Sequence, residues 1–208
     1  MPIINYASKE IQFKIVYYGP ALCGKTTTLI YIHSRLSPNH RGDLISLATA
    51  ADRTLFFDFL PVNAASLQGF KTKFQLYTVP GQVIYNATRQ LVLRNVDAVV
   101  FVADSQWGKM EDNVESLRNL GENLEKQNLS LDELPYVLQF NKRDIPDIAP
   151  INYLEYLLNN RRTRIKSFET IASTGFNVFA TLDRATQLLL HKFNRENAKL
   201  VPGLKQEK

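Results

Sequence analysis

One short stretch of the chain restricts its fold more than any other part. Residues 19–26 read GPALCGKT, which is a complete G-x-x-x-x-G-K-[ST] motif. The β-branched and aromatic run at residues 12–18 predicts a buried strand before it, and the pattern at residues 26–36 predicts a helix after it. A glycine-rich loop in this context directs backbone N–H groups at phosphate oxygens, and the helix N-terminus adds positive potential. The stretch therefore predicts an α/β unit that binds a phosphorylated ligand.

The positions of this loop have expected roles. The ammonium group of Lys25 reaches the outer phosphates, and the hydroxyl of Thr26 can ligate Mg²⁺. The other positions expected to line the phosphates are Gly19, Ala21, Leu22, Cys23, Gly24 and Thr27. ATPases, kinases and GTPases all carry such a loop, so the motif alone leaves the base open.

Strand and helix patterns alternate along the rest of the chain. Further strands are predicted at residues 70–78 and 97–103, and further helices at residues 85–94, 110–127, 151–159 and 176–193. Such alternation is typical of an α/β fold with a mainly parallel sheet. Residues 55–60 and 70–78 leave no room for a long helix between them, so we expect an antiparallel pair at the edge of the sheet.

A second motif selects the base. The residues from Asn141 to Asp144 read N-K-x-D and follow a predicted strand at residues 136–140, where ligand-binding loops gather at the end of a parallel sheet. The carboxylate of Asp144 can accept hydrogen bonds from N1–H and the 2-amino group of guanine, whereas adenine lacks both donors. A buried carboxylate without those donors is costly, so the site is expected to reject adenine. Asn141 is expected to tie this loop to the phosphate loop, and the stem of Lys142 to lie along the base.

A third loop lies at residues 169–174, after a short apolar approach to a strand end. Here the backbone N–H of Ala172 is expected to donate to O6 of guanine. A polar turn before the last helix is the alternative interpretation, and it would prevail without the other two motifs.

Two further segments are expected to sense a γ-phosphate. Residues 48–57 contain Thr54, a candidate to complete Mg²⁺ coordination. They also contain Arg53, whose guanidinium can neutralise charge in a transition state or can simply lie on the surface. The TVPGQ sequence ends in Gly81, which offers a backbone N–H, and Gln82, which can orient the attacking water. The phosphate would order both segments, and hydrolysis would release them.

Composition limits the remaining possibilities. The 208 residues suffice for one domain with a packed core, and a net charge of +5 is too mild to predict a nucleic-acid partner. Cys23 is the single cysteine, which excludes an intrachain disulfide, and the three dispersed histidines predict no zinc site. The longest apolar run, residues 98–103, is far below the ~20 residues of a membrane span. We expect a cytoplasmic protein with no membrane anchor and at most weak peripheral contact with membranes.

Together these motifs resemble those of small Ras-like GTPases, and within them the bacterial MglA family of gliding-motility and cell-polarity switches. The resemblance runs from about Ile4 to about Phe193. It rests on GPALCGKT, TVPGQ and NKRD, together with DRTLFFDFLP at residues 52–61 and FVADS at residues 101–105.

This resemblance implies a GTPase domain over residues 1–193 and a basic C-terminal tail over residues 194–208. It implies a Ras-like fold, with a mainly parallel sheet of six strands, one antiparallel edge strand and helices on both faces. In this family the edge strand before the hairpin is thought to slide between nucleotide states.

The resemblance also implies a GTP/GDP switch that uses Mg²⁺ and sits at a cell pole when GTP-bound. Family members typically pair with a roadblock-type, MglB-like activating protein that supplies no catalytic arginine. In the GTP state they bind effectors located at a cell pole. Arg53 is then the intrinsic arginine finger, and it acts in catalysis with Gln82 and Lys25.

Two positions depart from these patterns. Most Ras-like proteins have Asp-x-x-Gly where this chain has Thr78-x-x-Gly81, so another group or water must replace the carboxylate that steadies the Mg²⁺ water shell. The MglA family shares this loss. Ala21 stands where the MglA pattern usually has glycine, and its methyl group would point at the γ-phosphate and crowd Gln82. This predicts slow hydrolysis without an activating protein.

Three functions stay open at this point. The leading hypothesis is an enzyme used as a clock, in which GTP hydrolysis ends an interaction. The second is a long-lived GTP-bound polarity scaffold with little intrinsic hydrolysis, which Ala21 favours. A metabolic P-loop kinase is the weakest, because N-K-x-D has no purpose there and no substrate lid is evident.

Overall fold

The fold of residues 2–49, 52–67, 69–160 and 164–200 is described by a computed structural model. Within these ranges the chain forms eight strands and five α-helices. The strands are β1 (Ile3–Asn5), β2 (Glu10–Tyr18), β3 (Ile45–Thr49), β4 (Asp52–Leu67), β5 (Phe70–Thr78), β6 (Ala98–Asp104), β7 (Tyr136–Asn141) and β8 (Ser167–Glu169). The helices are α1 (Lys25–Arg35), α2 (Asn86–Leu93), α3 (Met110–Glu125), α4 (Ile151–Leu158) and α5 (Val178–Leu200).

The strands of the described ranges form one sheet in the order β3-β4-β5-β2-β6-β7-β8, and β1 pairs with the first residues of β2. β2 pairs in parallel with β5 and β6, and the parallel arrangement continues through β7 to β8. β4 runs antiparallel to β5, and β3 runs antiparallel to β4. The carboxyl ends of β2, β6 and β7 therefore meet at one edge of the sheet, which is where a parallel sheet carries its binding site.

Alternating side chains of β2 explain why helices cover both faces of the sheet. Phe13, Ile15 and Tyr17 pack on one face with α1 and α5, while Val16 and Tyr18 pack on the other with α2, α3 and α4. Every residue of β6 is buried, which is typical of a parallel strand covered by helices on both sides. These two apolar layers fix the strand ends relative to the helices, and so they fix the loops that follow the strands.

The predicted α/β fold with a mainly parallel sheet and helices on both faces is confirmed. The predicted antiparallel pair is present as β4 and β5, but its predicted position at the edge of the sheet is wrong, because β3 forms that edge. The expected six strands with one antiparallel edge strand need correction, because the described ranges contain eight strands, and β1, β3 and β4 each run antiparallel to a neighbour.

Strand length explains this difference. β1 has three residues and β3 has five, so neither is long enough to show a clear hydrophobic alternation. β4 has 16 residues and reaches beyond its pairing with β5. Its first part would expose unpaired backbone groups, and β3 pairs with them.

The last helix is longer than predicted. α5 continues over residues 194–200, where the sequence predicts a tail that begins after residue 193. Phe193 is buried in the apolar layer of α1 and α5, whereas Asn194, Arg195 and Glu196 are exposed. The division into a domain of residues 1–193 and a basic tail stays a prediction, and residues 201–208 lie outside the described part of the chain.

Candidate nucleotide-binding site

The carboxyl ends of β2 and β7 carry the first two sequence motifs. The phosphate loop follows β2 and leads into α1, and the N-K-x-D loop begins with the last residue of β7. A cavity of about 500 Å³ opens beside the phosphate loop and reaches the segment after β5. Its lining contains Ala21, Leu22, Gly24, Lys25, Thr26, Thr27, Ile30, Val79, Gly81, Gln82 and Tyr85. Most residues that were predicted to contact phosphates therefore line one cavity.

Two glycines allow the phosphate loop to pass close to its neighbours. Gly24, directly before α1, has a φ of 103°, and a Cβ placed there would lie 2.1 Å from Nδ2 of Asn141. A Cβ on Gly19, whose φ is 149°, would lie 2.1 Å from the carbonyl oxygen of Val102. Both the backbone conformation and the close approach exclude a side chain at these positions. This explains the two fixed glycines of the motif.

The ammonium group of Lys25 is buried, and its own loop accepts its hydrogen bonds. Nζ donates to the carbonyl oxygens of Gly19 (3.0 Å) and Pro20 (2.6 Å) and lies 3.6 Å from Sγ of Cys23. Burial lowers the pKa of Lys25, and the positive charge of Arg89 lowers it further, while Cys23 acts in the opposite direction. A buried cation surrounded by neutral oxygens gains from an anionic ligand, so this geometry favours the binding of phosphate.

The side chain of Asn141 links three loops. Its Nδ2 donates to the carbonyl oxygen of Cys23 (2.7 Å), and its Oδ1 accepts from the backbone N–H of Ala172 (2.9 Å) and the hydroxyl of Thr170 (3.2 Å). The predicted tie between the N-K-x-D loop and the phosphate loop is therefore confirmed. The N–H of Ala172, which was predicted to meet O6 of guanine, donates to Asn141 in this structure, so the contact with the base stays a prediction.

Lys142 is held by a carboxylate that had no predicted role. Its Nζ lies 2.5 Å from Oδ2 of Asp104 and 3.3 Å from Oε1 of Gln106. Asp104 is fully buried at the end of β6, and the side chain of Asn113 bonds both its backbone N–H and its carbonyl. The pair fixes the direction of the lysine stem, while Asp144 is exposed on the same loop.

A buried carboxylate on β4 lies between the phosphate loop and β5. Oδ2 of Asp58 accepts hydrogen bonds from the hydroxyls of Thr26 (2.6 Å) and Thr78 (2.8 Å), and Oδ1 accepts from the hydroxyl of Ser46 (2.5 Å). Thr78 stands at the position on β5 where most Ras-like proteins have a carboxylate. In this chain the neighbouring antiparallel strand β4 places the carboxylate of Asp58 beside Thr26. A single aspartate within the apolar run FFDFL was the feature of the sequence that would have indicated it.

The segment after β5 lies against the phosphate loop. A Cβ placed on Gly81 would lie 2.3 Å from Cα of Ala21, so the two backbones are in contact. Gln82 is exposed at the cavity. Arg53 and Thr54 are residues of β4, and the structure describes their backbone but not their side chains. Their roles therefore stay predictions.

Fold and loops together define a class of protein. A phosphate loop and an N-K-x-D loop, both at the carboxyl ends of parallel strands and joined by an asparagine, characterise Ras-like P-loop GTPases. Within the described ranges, none of the helices has the length and apolar character needed to cross a membrane.

Comparison with known proteins agrees with this class. The chain is 52% identical over 195 residues to the mutual gliding-motility protein MglA of Myxococcus xanthus (strain DK1622), and the match covers 94% of this chain and 99% of the relative. No protein-family model matches the chain. At this identity and coverage, the chain belongs to the MglA family of small Ras-like GTPases, which bind guanine nucleotides.

We predict that Asn141→Ala weakens GDP binding about tenfold or more and lowers the free energy of unfolding by about 1–3 kcal/mol. The reason is that the substitution leaves a buried carbonyl of Cys23 and a buried N–H of Ala172 without their partner. Competition with a fluorescent GDP analogue measures the first effect, and urea unfolding without nucleotide measures the second, so that weaker GDP binding does not itself lower the stability. Asn194→Ala, at an exposed position of α5, is the matched control. Parental GDP affinity in Asn141→Ala would contradict the role of Asn141 in holding the loops.

Proposed function

We propose that this protein is a GTP-binding and GTP-hydrolysing switch that controls cell polarity or motility and binds its effectors in the GTP state. The observation that carries the proposal is the hydrogen bonding of Asn141, which brings the phosphate loop and the N-K-x-D loop into one site. The similarity to a gliding-motility protein supports the cellular role. Hydrolysis of GTP then ends an interaction rather than supplying a product.

Guanine recognition is assigned to the N-K-x-D loop and its neighbour. The carboxylate of Asp144 accepts from N1–H and the 2-amino group, and the backbone N–H of Ala172, which donates to Asn141 in this structure, is proposed to donate to O6 when the base is bound. The stem of Lys142 lies along the base, and the ion pair with buried Asp104 supports that orientation. Asp144 is exposed in this structure, and in this proposal the bound base covers its carboxylate. Adenine would then leave the covered carboxylate without its donors, which is the physical basis of selection.

Mg²⁺ fits the donor set beside the phosphate loop. The hydroxyl of Thr26 and the carboxylate of Asp58 are hard oxygen donors of the kind that Mg²⁺ prefers, and the described contacts of that carboxylate are made by the hydroxyl groups of three side chains. In this proposal Thr26 and Thr54 hold the ion, and Asp58 takes the part of the carboxylate that position 78 lacks. The bound ion would neutralise charge on the outer phosphates.

Catalysis in this proposal depends on positioning and charge. Gln82 orients the attacking water, Lys25 holds the outer phosphate oxygens, and Arg53 neutralises charge that develops in the transition state. A Cβ on Gly81 would meet the methyl group of Ala21 at 3.0 Å, so that methyl group lies at the contact between the two loops. It narrows the space in which the γ-phosphate, the water and Gln82 meet, and slow intrinsic hydrolysis follows.

The proposed partners are an MglB-like, roadblock-type activating protein and effectors at a cell pole. The large apolar side chains of Leu22, in the phosphate loop, and Ile84, two residues after Gln82, are exposed near the cavity, where such partners could contact them. The cytoplasm is the proposed compartment. A long-lived GTP-bound polarity scaffold is the alternative function, and Ala21 is the observation that favours it.

Ala21→Gly is expected to hydrolyse bound GTP about tenfold faster than the parent, because the γ-phosphate and the attacking water gain room. Single-turnover release of phosphate from GTP-loaded protein measures the rate. Ala65→Gly, at an exposed position of β4, is the matched control. A rate in Ala21→Gly that is no faster than the parental rate would show that the methyl group does not limit hydrolysis.

A switch must present different surfaces in its two states. GTP-loaded Gln82→Leu, in which hydrolysis is blocked, is expected to capture partners from a cell lysate that the GDP-loaded parent does not capture. Affinity capture followed by mass spectrometry identifies both sets, and GDP-loaded Gln82→Leu controls for the substitution itself. Identical sets of captured proteins from the GTP-loaded and GDP-loaded forms would contradict the proposal of a switch.

A further inference from the structure

A buried arginine lies beneath the loop that follows β5. Arg89 belongs to α2, and its side chain is 0% exposed. Its Nε donates to the carbonyl oxygen of Pro80 (2.9 Å), and its Nη2 donates to the carbonyl oxygen of Gly81. On the other side, Nη1 donates to Oδ1 of Asn119 on α3 (2.7 Å). One guanidinium group thus joins the loop at residues 80–81 to a helix of the core.

The surroundings of Arg89 are polar and held in place. The guanidinium carbon lies 5.1 Å from the centre of the Tyr18 ring, and the hydroxyl of Tyr18 donates to Asn119 (2.6 Å). Asn123 donates to that hydroxyl (3.1 Å) and to Oδ1 of Asn86 (2.7 Å). Within the described ranges, every acceptor of the guanidinium is a neutral oxygen. Burying a cation among neutral oxygens costs free energy that apolar side chains between two helices would not cost. This points to a role of Arg89 at the loop.

The two carbonyl contacts determine where the N–H groups of the loop face. A trans peptide is planar, so its C=O and N–H point in opposite directions. Because the guanidinium holds the carbonyl of Pro80, the N–H of Gly81 faces the opposite side. The guanidinium also holds the carbonyl of Gly81, so the N–H of Gln82, which belongs to the same peptide, faces away from Arg89 as well. Both residues line the cavity beside the phosphate loop, so Arg89 orients the two peptides that lie next to the proposed γ-phosphate position.

We propose that Arg89 is a positioning residue for the switch, which holds these two peptides in the orientation that responds to a γ-phosphate and so sets the preference for GTP over GDP. The inference rests on the proposed function. It predicts little change in GDP binding, since the hydrogen bonds of Arg89 go to residues outside the phosphate loop and the N-K-x-D loop. Lysine cannot replace it, because one ammonium group lacks the planar fork that reaches two carbonyls and Asn119 together.

The test compares Arg89→Lys with Arg94→Lys, an exposed position directly after α2. Dissociation constants of the full chain are measured with fluorescent GDP and a fluorescent non-hydrolysable GTP analogue, both with Mg²⁺. Arg89→Lys is expected to bind GDP within about threefold of the parent and the analogue about tenfold or more weakly than the parent. The variant keeps the positive charge, so the affinity ratio reports the geometry of the hydrogen bonds. A parental ratio, or equal losses for both nucleotides, would overturn the proposal.

A second variant decides the matter if Arg89→Lys does not fold. Asn119→Ala removes the acceptor of Nη1 and spares both loop carbonyls, and the ratio is expected to shift in the same direction by about threefold. An unchanged ratio in a folded Asn119→Ala would overturn the role of Arg89. A parent that binds neither nucleotide would instead contradict the proposed function itself, so the two failures are distinguishable.

Discussion

The buried ammonium group of Lys25 imposes the strictest condition on this fold. A charge removed from water must meet oxygen atoms, and the carbonyls of Gly19 and Pro20 provide them. The loop reaches this position because it bends at glycines, and the bend brings it against β6 and Asn141. The hydrogen bond from Asn141 to the Cys23 carbonyl then fixes the N-K-x-D loop beside it. Phosphate is the ligand that suits this arrangement, because it brings negative charge to a place that already concentrates donors.

Two further buried groups connect the segments around the site to other elements of the fold. Asp58 joins α1, β3 and β5 through three hydroxyl groups, and Arg89 joins the loop after β5 to α3. Both side chains are excluded from water. A change at Thr26 therefore reaches β3 and β5 through direct hydrogen bonds to Asp58, and a change in the loop after β5 reaches α2 and α3 through Arg89. Contacts of this kind can couple a nucleotide to two discrete arrangements of the protein.

Local patterns were enough to predict the phosphate loop, the N-K-x-D loop, the antiparallel pairing of β4 with β5 and the presence of the helices. The contact between Asn141 and Cys23 spans 118 positions, and only the chemistry of the motif made it predictable. The roles of Asp58 and Arg89 were not predicted, because their partners come from other elements of the fold. Asp58 binds Thr26 of α1, which is 32 positions away in the sequence, and Arg89 binds Asn119 of α3, which is 30 positions away. Hydrophobic periodicity can place Arg89 on a helix, but it does not reveal which charged side chain the neighbouring helix covers. The strand β3 was not predicted for a related reason: it pairs with the first part of β4, which extends beyond the pairing of β4 with β5.

We propose that one site, built on Lys25, Asn141 and Asp144, binds a guanine nucleotide selectively. The most direct measurement is equilibrium competition of GTP and of ATP against fluorescent GDP bound to the full chain. GTP is expected to displace the probe at a concentration roughly a thousandfold lower than ATP, because only guanine offers both donors to Asp144. Displacement by ATP at the same concentration as GTP would contradict the claim.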